Sequence, residues 1–349
     1  MFKPKYKLTD KILALLTETA EAKALIEKAK ILPEHELKLR RQALARMTQS
    51  STAIEGNVLN LNQVEAVIAG KKVDAPARDV YEVKNYLASI RFIEKTVKEK
   101  KPLTEKIVLK IHRLVTENTL PKDKSGIYRT GLVYIVRRQA GLANKIIYTA
   151  PPASDVPNLL KSLIDWIGKS EKENIHPVIA AGIAHREFAA IHPFADDNGR
   201  TARALATLIL YQRGYDFRKL FALEDYYNRD RQKYYQEINI GSKYNKKDFT
   251  DWLEYFIEGF KEEIIRVREE IVELNAKKVG RSLKQQIMIS KKQVQIIDFI
   301  NTVGKITAKD AIDVLRCQKR TAQLELQKLK KQRIIKQIGK GPSAAYVLK

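Results

Sequence analysis

The sequence predicts a mainly α protein: a helical bundle interrupted by one β-hairpin, then a small C-terminal module of three helices and a second hairpin. Three observations carry this prediction. Apolar residues recur at helical spacing through most of the chain. β-type runs are short, at 132–136 and 146–149 and again at the very end. The composition then changes: residues 276–349 hold 18 Lys/Arg against 4 Asp/Glu, a net +14 and more than half of the whole chain's +24.

A chain of 349 residues suggests two or three domains, and 44% hydrophobic content is enough for real cores. The basic excess, 65 Lys/Arg over 41 Asp/Glu, favours contact with nucleic acid, anionic lipid or acidic partners, although basic surfaces also simply solvate a protein. The single cysteine, Cys317, excludes a disulfide framework or a cysteine-rich metal site. The N-terminal residues lack an apolar signal core and no run approaches a membrane span, so a cytoplasmic protein with no membrane partner is expected.

In chain order, residues 11–32 have helical spacing and stop before Pro33. Helices follow at 34–50, 62–69, 78–98 and from Thr104, a candidate cap, to about 118. Gly56 or Asn57 marks a helix stop. The hairpin at 132–149 ends at Pro151-Pro152, and a helix covers 154–168. Two strongly apolar helices flank residue 192, after which helices are expected at 224–239 and 247–276. The C-terminal module reads as helices at 291–302, 307–315 and 318–332 with strands at 334–338 and 344–348 around a Gly339-Lys340-Gly341 turn. Its size, order and charge resemble a winged helix-turn-helix domain.

The chemistry is concentrated in His192-Pro193-Phe194-Ala195-Asp196-Asp197-Asn198-Gly199-Arg200-Thr201-Ala202-Arg203. The flanks, 178–191 and 202–210, carry little charge apart from His185, Arg186 and Glu187. Helices apolar on most faces are buried, so a polar loop joins two core helices, which is costly unless something binds there. Gly199 relaxes the backbone before a helix whose first N–H groups have no internal partner, a geometry that suits phosphate. His192 can be a base, because imidazole titrates near neutrality. Asp196 is a hard oxygen ligand suited to Mg²⁺, which takes one or two carboxylates and shares the phosphates. The N–H groups of 197–200 can form an anion nest. Arg203 lies one helical turn past Arg200 and can reach a distal phosphate. The residues alone therefore describe a phosphoryl- or nucleotidyl-transfer site.

This stretch resembles the signature of the Fic (Fic/DOC) family, His-Pro-Phe-x-Asp/Glu-Gly-Asn-Gly-Arg-x-x-Arg. It matches at His192, Pro193, Phe194, Asp196, Asn198, Gly199, Arg200 and Arg203, and departs at Asp197, where the family usually has glycine. The resemblance implies a Fic-type helical bundle and transfer of AMP from ATP to a hydroxyl side chain (Tyr, Ser or Thr) of a target protein or of the chain itself. It implies that His192 deprotonates the hydroxyl and that Asp196 holds Mg²⁺. Asn198, Gly199 and Arg200, with Asp197 beside them, would line the α- and β-phosphates, and Arg203 would bind the γ-phosphate. Asp tolerates positive φ, so the turn survives the substitution. The Asp197 carboxylate could weaken ATP binding; the expectation is that it assists the metal or points to solvent.

The same resemblance makes the hairpin, within 126–151, a flap that docks an extended target segment by edge pairing. Ser51-Thr52-Ala53-Ile54-Glu55-Gly56 resembles the family's inhibitory motif, Ser/Thr-x-x-x-Glu-Gly/Asn, with Ser51 and Glu55 on one helix face and Glu55 paired with Arg203. Tyr227 and Tyr234, among the tyrosines after the signature, fall where the family places part of the adenosine pocket. His185, two turns before His192, is expected to be structural. The domains are then an N-terminal helical region with the inhibitory motif (1–103), a catalytic core (104–240), a helical connector (241–284) and the winged helix (285–349).

An autoinhibited protein adenylyltransferase is the first functional reading. The alternative is a DNA-binding transcriptional regulator whose Fic core is a sensor or a degenerate enzyme. In a winged helix, Gln318, Lys319, Arg320 and Gln323 would open the recognition helix and meet double-stranded DNA. A homodimer is left open as a further partner.

Overall fold

The computed structural model describes residues 2–137, 145–238, 248–279, 289–339 and 344–349. It divides into two compact units, one of residues 1–30 and 39–272, the other of 31–38 and 273–349. No helix among the described residues is long and apolar enough to cross a membrane.

The larger unit is helical apart from one hairpin. Its N-terminal part contains α1 (Asp10–Lys28), α2 (Pro33–Ile54, whose first residues belong to the smaller unit), α3 (Leu61–Ile68), α4 (Ala77–Lys98) and α5 (Glu105–Val115). Thr9 caps α1 through its hydroxyl and Asn60 caps α3 with a reciprocal Gln63 box. Thr104 stands at the start of α5 as expected, but makes no side-chain capping bond. Helix α2 runs four residues beyond the expected 34–50 and stops where Gly56 turns left-handed at φ 98°.

The hairpin pairs β1 (Tyr134–Arg137) with β2 (Lys145–Thr149) antiparallel, with a register shift between Ile135 and Val136. The tip of the expected flap, residues 138–144, lies outside the described residues. Next come α6 (Val156–Lys172), α7 (Pro177–Ile191) and α8 (Asn198–Gln212). Every residue of α7 from Val178 onward is buried, and so is nearly all of α8. These two helices are the centre of the unit: α8 packs on α7, α4 and α5, and α6 covers α7.

The helix expected at 224–239 is two helices, α9 (Leu223–Arg229) and α10 (Arg231–Ile238). Asp230 leaves helical geometry (φ −139°, ψ 81°) and its carboxylate accepts from the Lys233 N–H at 2.9 Å. An Asp side chain that caps the following turn competes with a continuous helix, and periodicity does not reveal it. Helix α11 (Thr250–Val279) then returns across α7, where the Trp252 indole N–H donates to the Gly182 carbonyl at 2.7 Å.

In the smaller unit α12 (Lys291–Val303), α13 (Ala308–Leu315) and α14 (Lys319–Lys331) surround a core that includes Ile296, Ile300, Ala311, Leu315, Leu326 and Leu329. Its sheet has the order β3 (Ile306–Thr307), β5 (Ala345–Leu348), β4 (Ile335–Ile338), all antiparallel. Strand β3 was not expected, because two residues are too short to show alternation. The expected turn at 339–341 lies largely outside the described residues.

The α7–α11 crossing depends on the missing side chain of Gly182. A Cβ there would come 2.9 Å from Leu253 Cδ2 and 3.0 Å from Phe256 Cδ1, both in the core. Gly182→Ala is expected to destabilise the larger unit by about 1–3 kcal/mol, the usual effect of overpacking. Denaturant unfolding followed by circular dichroism checks this, and an unchanged midpoint would show that the crossing can open without loss.

Candidate active site

The site is the loop between α7 and α8, bounded by two left-handed residues. His192 ends α7 at φ 49°, ψ 58°, and its N–H donates to the Phe188 carbonyl at 3.0 Å. Asp197 starts α8 at φ 60°, ψ 20°. Proline after His192 disfavours helical geometry there, and the left-handed alternative costs roughly 1–2 kcal/mol for a residue with a Cβ. Surrounding bonds hold it. Arg129 donates from Nε to the His192 carbonyl at 2.7 Å, and its main-chain N–H donates to the Pro193 carbonyl at 3.0 Å. Asn198 closes the loop from within: its Oδ1 accepts from Phe194 N–H and its Nδ2 donates to the Phe194 carbonyl, both at 2.9 Å.

His192 Nδ1 lies 3.1 Å from the Ala189 carbonyl. A carbonyl only accepts, so Nδ1 carries the proton and Nε2 is left as the basic nitrogen. Burial lowers the imidazole pKa below its ordinary value; the Ala189 carbonyl opposes that, Arg129 adds to it, and Glu55 and Asp196 oppose it.

The two arginines are both buried and both already face carboxylates. Arg203 donates from Nε to Ser51 Oγ at 2.9 Å, and from Nη2 to the Ser51 carbonyl at 2.9 Å and Glu55 Oε1 at 2.8 Å. Burial alone would depress this guanidinium, but Glu55, Tyr234 and Tyr86 together hold it above its ordinary value. The Glu55 carboxylate rests directly on the bare Cα of Gly199, in the space a Cβ would fill. An anion of the chain itself therefore sits on the glycine turn and binds the second arginine.

Arg200 pairs through Nη2 with Asp197 and approaches Glu82 Oε1 at 3.4 Å. Glu82 also accepts from Asn57 Nδ2 at 2.9 Å and Arg78 Nε at 3.2 Å. Arg200 Nε and Nη1 are buried with no hydrogen-bond partner among the described residues. Unpaired buried guanidinium donors are costly, and phosphate oxygens would satisfy them.

The structure corrects the expectation for Asp197. Its carboxylate does not point to solvent or stand as an open metal ligand; it is buried against Arg200. Burial pushes its pKa up to about 7, with Arg200 opposing and Asp196, Glu55 and Glu82 adding to the rise. The exposed carboxylate of the loop is Asp196, whose Oδ1 accepts from the Asp197 N–H at 2.8 Å. Among the described residues no cluster of three His, Cys, Asp or Glu could hold a metal alone. A Mg²⁺ at Asp196 would thus depend on phosphates for further ligands, which fits its usual mode of binding.

Tyr227 and Tyr234, expected to fall in part of the adenosine pocket, are core residues here. They stack on each other at 4.6 Å and are 1% and 2% exposed, inside an aromatic cluster with Trp252 and His185. The Tyr234 hydroxyl meets His185 Nε2 at 3.0 Å. His185 is the structural histidine expected, fully buried, with its pKa pushed down to about 3 first by burial and then by Arg203.

Three further residues were not anticipated. His112 stacks on Phe194 at 3.7 Å, places Nε2 3.1 Å from the Asp196 carbonyl, and accepts from the Gly126 N–H at Nδ1. Burial lowers its pKa to about 4, so it is a neutral brace under the loop. Glu82 and Arg129 are the others. Each lies far from the loop in sequence, and no local spacing announces it.

With this geometry in hand, comparison with known proteins is direct. Residues 102–210 match the family model described as Fic/DOC family. The protein adenylyltransferase fic-1 of Caenorhabditis elegans is 34% identical over 173 residues, covering 47% of this chain and 31% of that protein. Protein adenylyltransferase Fic of Nematostella vectensis is 28% identical over 193 residues, 54% of this chain and 41% of that protein. The chain thus spans less than half the length of these curated relatives. A crystal structure of a Fic family protein from Desulfovibrio desulfuricans G20 superposes with a TM-score of 0.65 at 28% identity, covering 100% of this chain and 98% of that one. Fic-1 of C. elegans superposes at 0.60 with 25% identity, covering 77% of this chain and 73% of that one. The loop between α7 and α8 lies inside the stretch of this chain that matches the Fic/DOC family.

Proposed function

We propose that this chain is a protein adenylyltransferase held inactive by its own Glu55. The observation that carries the reading is the Glu55 carboxylate on Gly199 and Arg203, where a nucleotide phosphate is expected. In the reaction His192 Nε2 takes the proton of a target hydroxyl. That oxygen forms a bond to the α-phosphorus of ATP, the bond from the α-phosphorus to the bridging oxygen breaks, and pyrophosphate leaves with the electron pair. The orphaned Arg200 donors and the N-terminal N–H groups of α8 face the α- and β-phosphates, and Arg203, once free of Glu55, the γ-phosphate. Mg²⁺, held by Asp196, would neutralise charge on the phosphates. The hairpin within 126–151 would present the target segment.

The chain incubated with ATP and Mg²⁺, alone and with lysate, tests this by intact mass. Glu55→Gly is expected to gain the mass of AMP on itself or a target, more than the unaltered chain does, and Glu55→Gly with His192→Ala is expected to gain none. No gain in Glu55→Gly overturns the reading. The acid limb of the rate should lie below the ordinary histidine pKa of about 6.5, because the lowered His192 pKa keeps the base neutral there, and activity falls only as pH drops through that lowered value.

Asp197 competes with the nucleotide for Arg200 on this reading. In the Glu55→Gly background, Asp197→Gly suits the left-handed turn and removes a like charge, and is expected to tighten ATP binding about fivefold or more, equivalent to about 1 kcal/mol. Calorimetric titration measures it; weaker binding would show instead that the carboxylate is needed to orient Arg200.

A second reading concerns the smaller unit, which we read as a winged helix that binds duplex DNA. It is supported by the row Gln318, Lys319, Arg320 and Gln323, all exposed at the start of α14, while Ala322, Leu326 and Leu329 face inward. Duplex binding is expected to weaken steeply between low and moderate salt, as displaced counterions require. Absence of binding at low salt overturns it.

A further inference from the structure

We propose that Arg129 is the positioning residue of the transfer reaction, its guanidinium fork holding the turn at His192 and tying both ends of the flap to it. The inference rests on the adenylyltransferase reading. Arg129 precedes the hairpin and is 5% exposed. Its guanidinium donates to carbonyl oxygens. Nε donates to His192 O at 2.7 Å, Nη1 to Gly131 O at 2.8 Å, and Nη2 to Pro151 O at 2.6 Å and Ile191 O at 3.4 Å. The main-chain N–H adds the bond to Pro193 O at 3.0 Å.

These oxygens belong to three backbone segments. Ile191, His192 and Pro193 form the end of α7 and the start of the catalytic loop. Gly131 precedes β1 and Pro151 follows β2. The Tyr148 hydroxyl adds a parallel tie from the flap, donating to the Ala190 carbonyl at 2.9 Å. The last carbonyls of a helix have no internal N–H partner and carry the negative end of its dipole. A cation is the fitting cap, and only a planar fork reaches carbonyls in several directions at once; a lysine is a point charge on a flexible stem. The left-handed His192 is thus held by the same group that holds the flap's base. A target segment on the flap and the base that must take its proton are referred to one guanidinium.

Arg129 also faces the His192 imidazole electrostatically, together with Glu55, Asp196 and the Ala189 carbonyl. This permits a test with two separable arms, on the full-length chain carrying Glu55→Gly. In Arg129→Lys and Arg129→Gln the kcat for AMP transfer is expected to fall on the order of 100-fold, as for a reacting group displaced by about 1 Å, with KM for ATP changed less than about threefold. Separately, the His192 imidazole is followed by NMR in the nucleotide-free chain, assigned among the five histidines by its loss in His192→Asn. Loss of the cation in Arg129→Gln should move its titration to higher pH, while Arg129→Lys should leave it in place and still lose kcat.

A folded variant of either kind with kcat within about threefold of the parent overturns the proposal. So does an unmoved His192 titration in folded Arg129→Gln. Should Arg129→Gln fail to fold, Arg129→Lys decides by its kcat and KM. Absence of AMP transfer in the parent would sink the adenylyltransferase reading, and the imidazole titration, which needs no turnover, would still decide whether Arg129 acts on His192.

Discussion

A permanently charged guanidinium in the middle of a helical core sets the terms for the larger unit. Arg203 lies on α8, 2% exposed, where an unpaired charge would cost several kcal/mol. The end of α2 answers with Ser51 Oγ, the Ser51 carbonyl and, one residue past the helix, Glu55. That demand places α2 against α8, carries α2 past residue 50, and lays the Glu55 carboxylate over Gly199. Behind the guanidinium, Tyr86 donates to the buried Glu224 at 2.7 Å, and burial pushes Glu224 up to about 7. The positive charge of Arg203 is thus met by oxygens on the loop side and by a carboxyl network on the core side.

The loop is braced by groups that are neutral or fully engaged. His112 and Asn198 close it without adding charge, and Arg129 spends its donors on carbonyls. The charges cluster around the glycine turn: Asp196 outward, Arg200 and Arg203 inward, Glu55 on Gly199 and Arg203. Such an arrangement stabilises charge without reorganisation during a reaction, which is what electrostatic preorganisation requires. It also explains how one carboxylate from another helix can compete with a substrate. On the adenylyltransferase reading, Glu55 occupies the donor and the bare glycine face that a phosphate oxygen would use.

Asp197 shows how a single departure changes the balance. With glycine there, Arg200 would keep Glu82 as its ion-pair partner among the described residues. With aspartate, a second carboxylate is buried on the same nitrogen, while Nε and Nη1 remain unsatisfied. Each of the two arginines thus has an internal carboxylate partner, Glu55 for Arg203 and Asp197 for Arg200.

Much of this was legible in the residues. Periodicity placed the helices to within a few residues, because burial of one face is a local property of the chain. The two apolar flanks and the glycine turn identified the loop, and the Fic signature with its Ser51–Glu55 counterpart pointed to Arg203. What could not be read was whatever depends on partners distant in sequence. Whether a carboxylate such as Asp197 faces water or a guanidinium is decided by packing. So is the burial of Tyr227 and Tyr234, and the break at Asp230, where a side-chain cap outcompetes a helical pattern. The bonds from Arg129 to His192, Glu82 to Arg200 and Ser51 to Arg203 join residues 63, 118 and 152 positions apart. The sequence by itself determined which groups were available and which local shapes they favour. Only the tertiary structure decided which charges meet, because burial makes each buried polar group take the partner that folding brings to it.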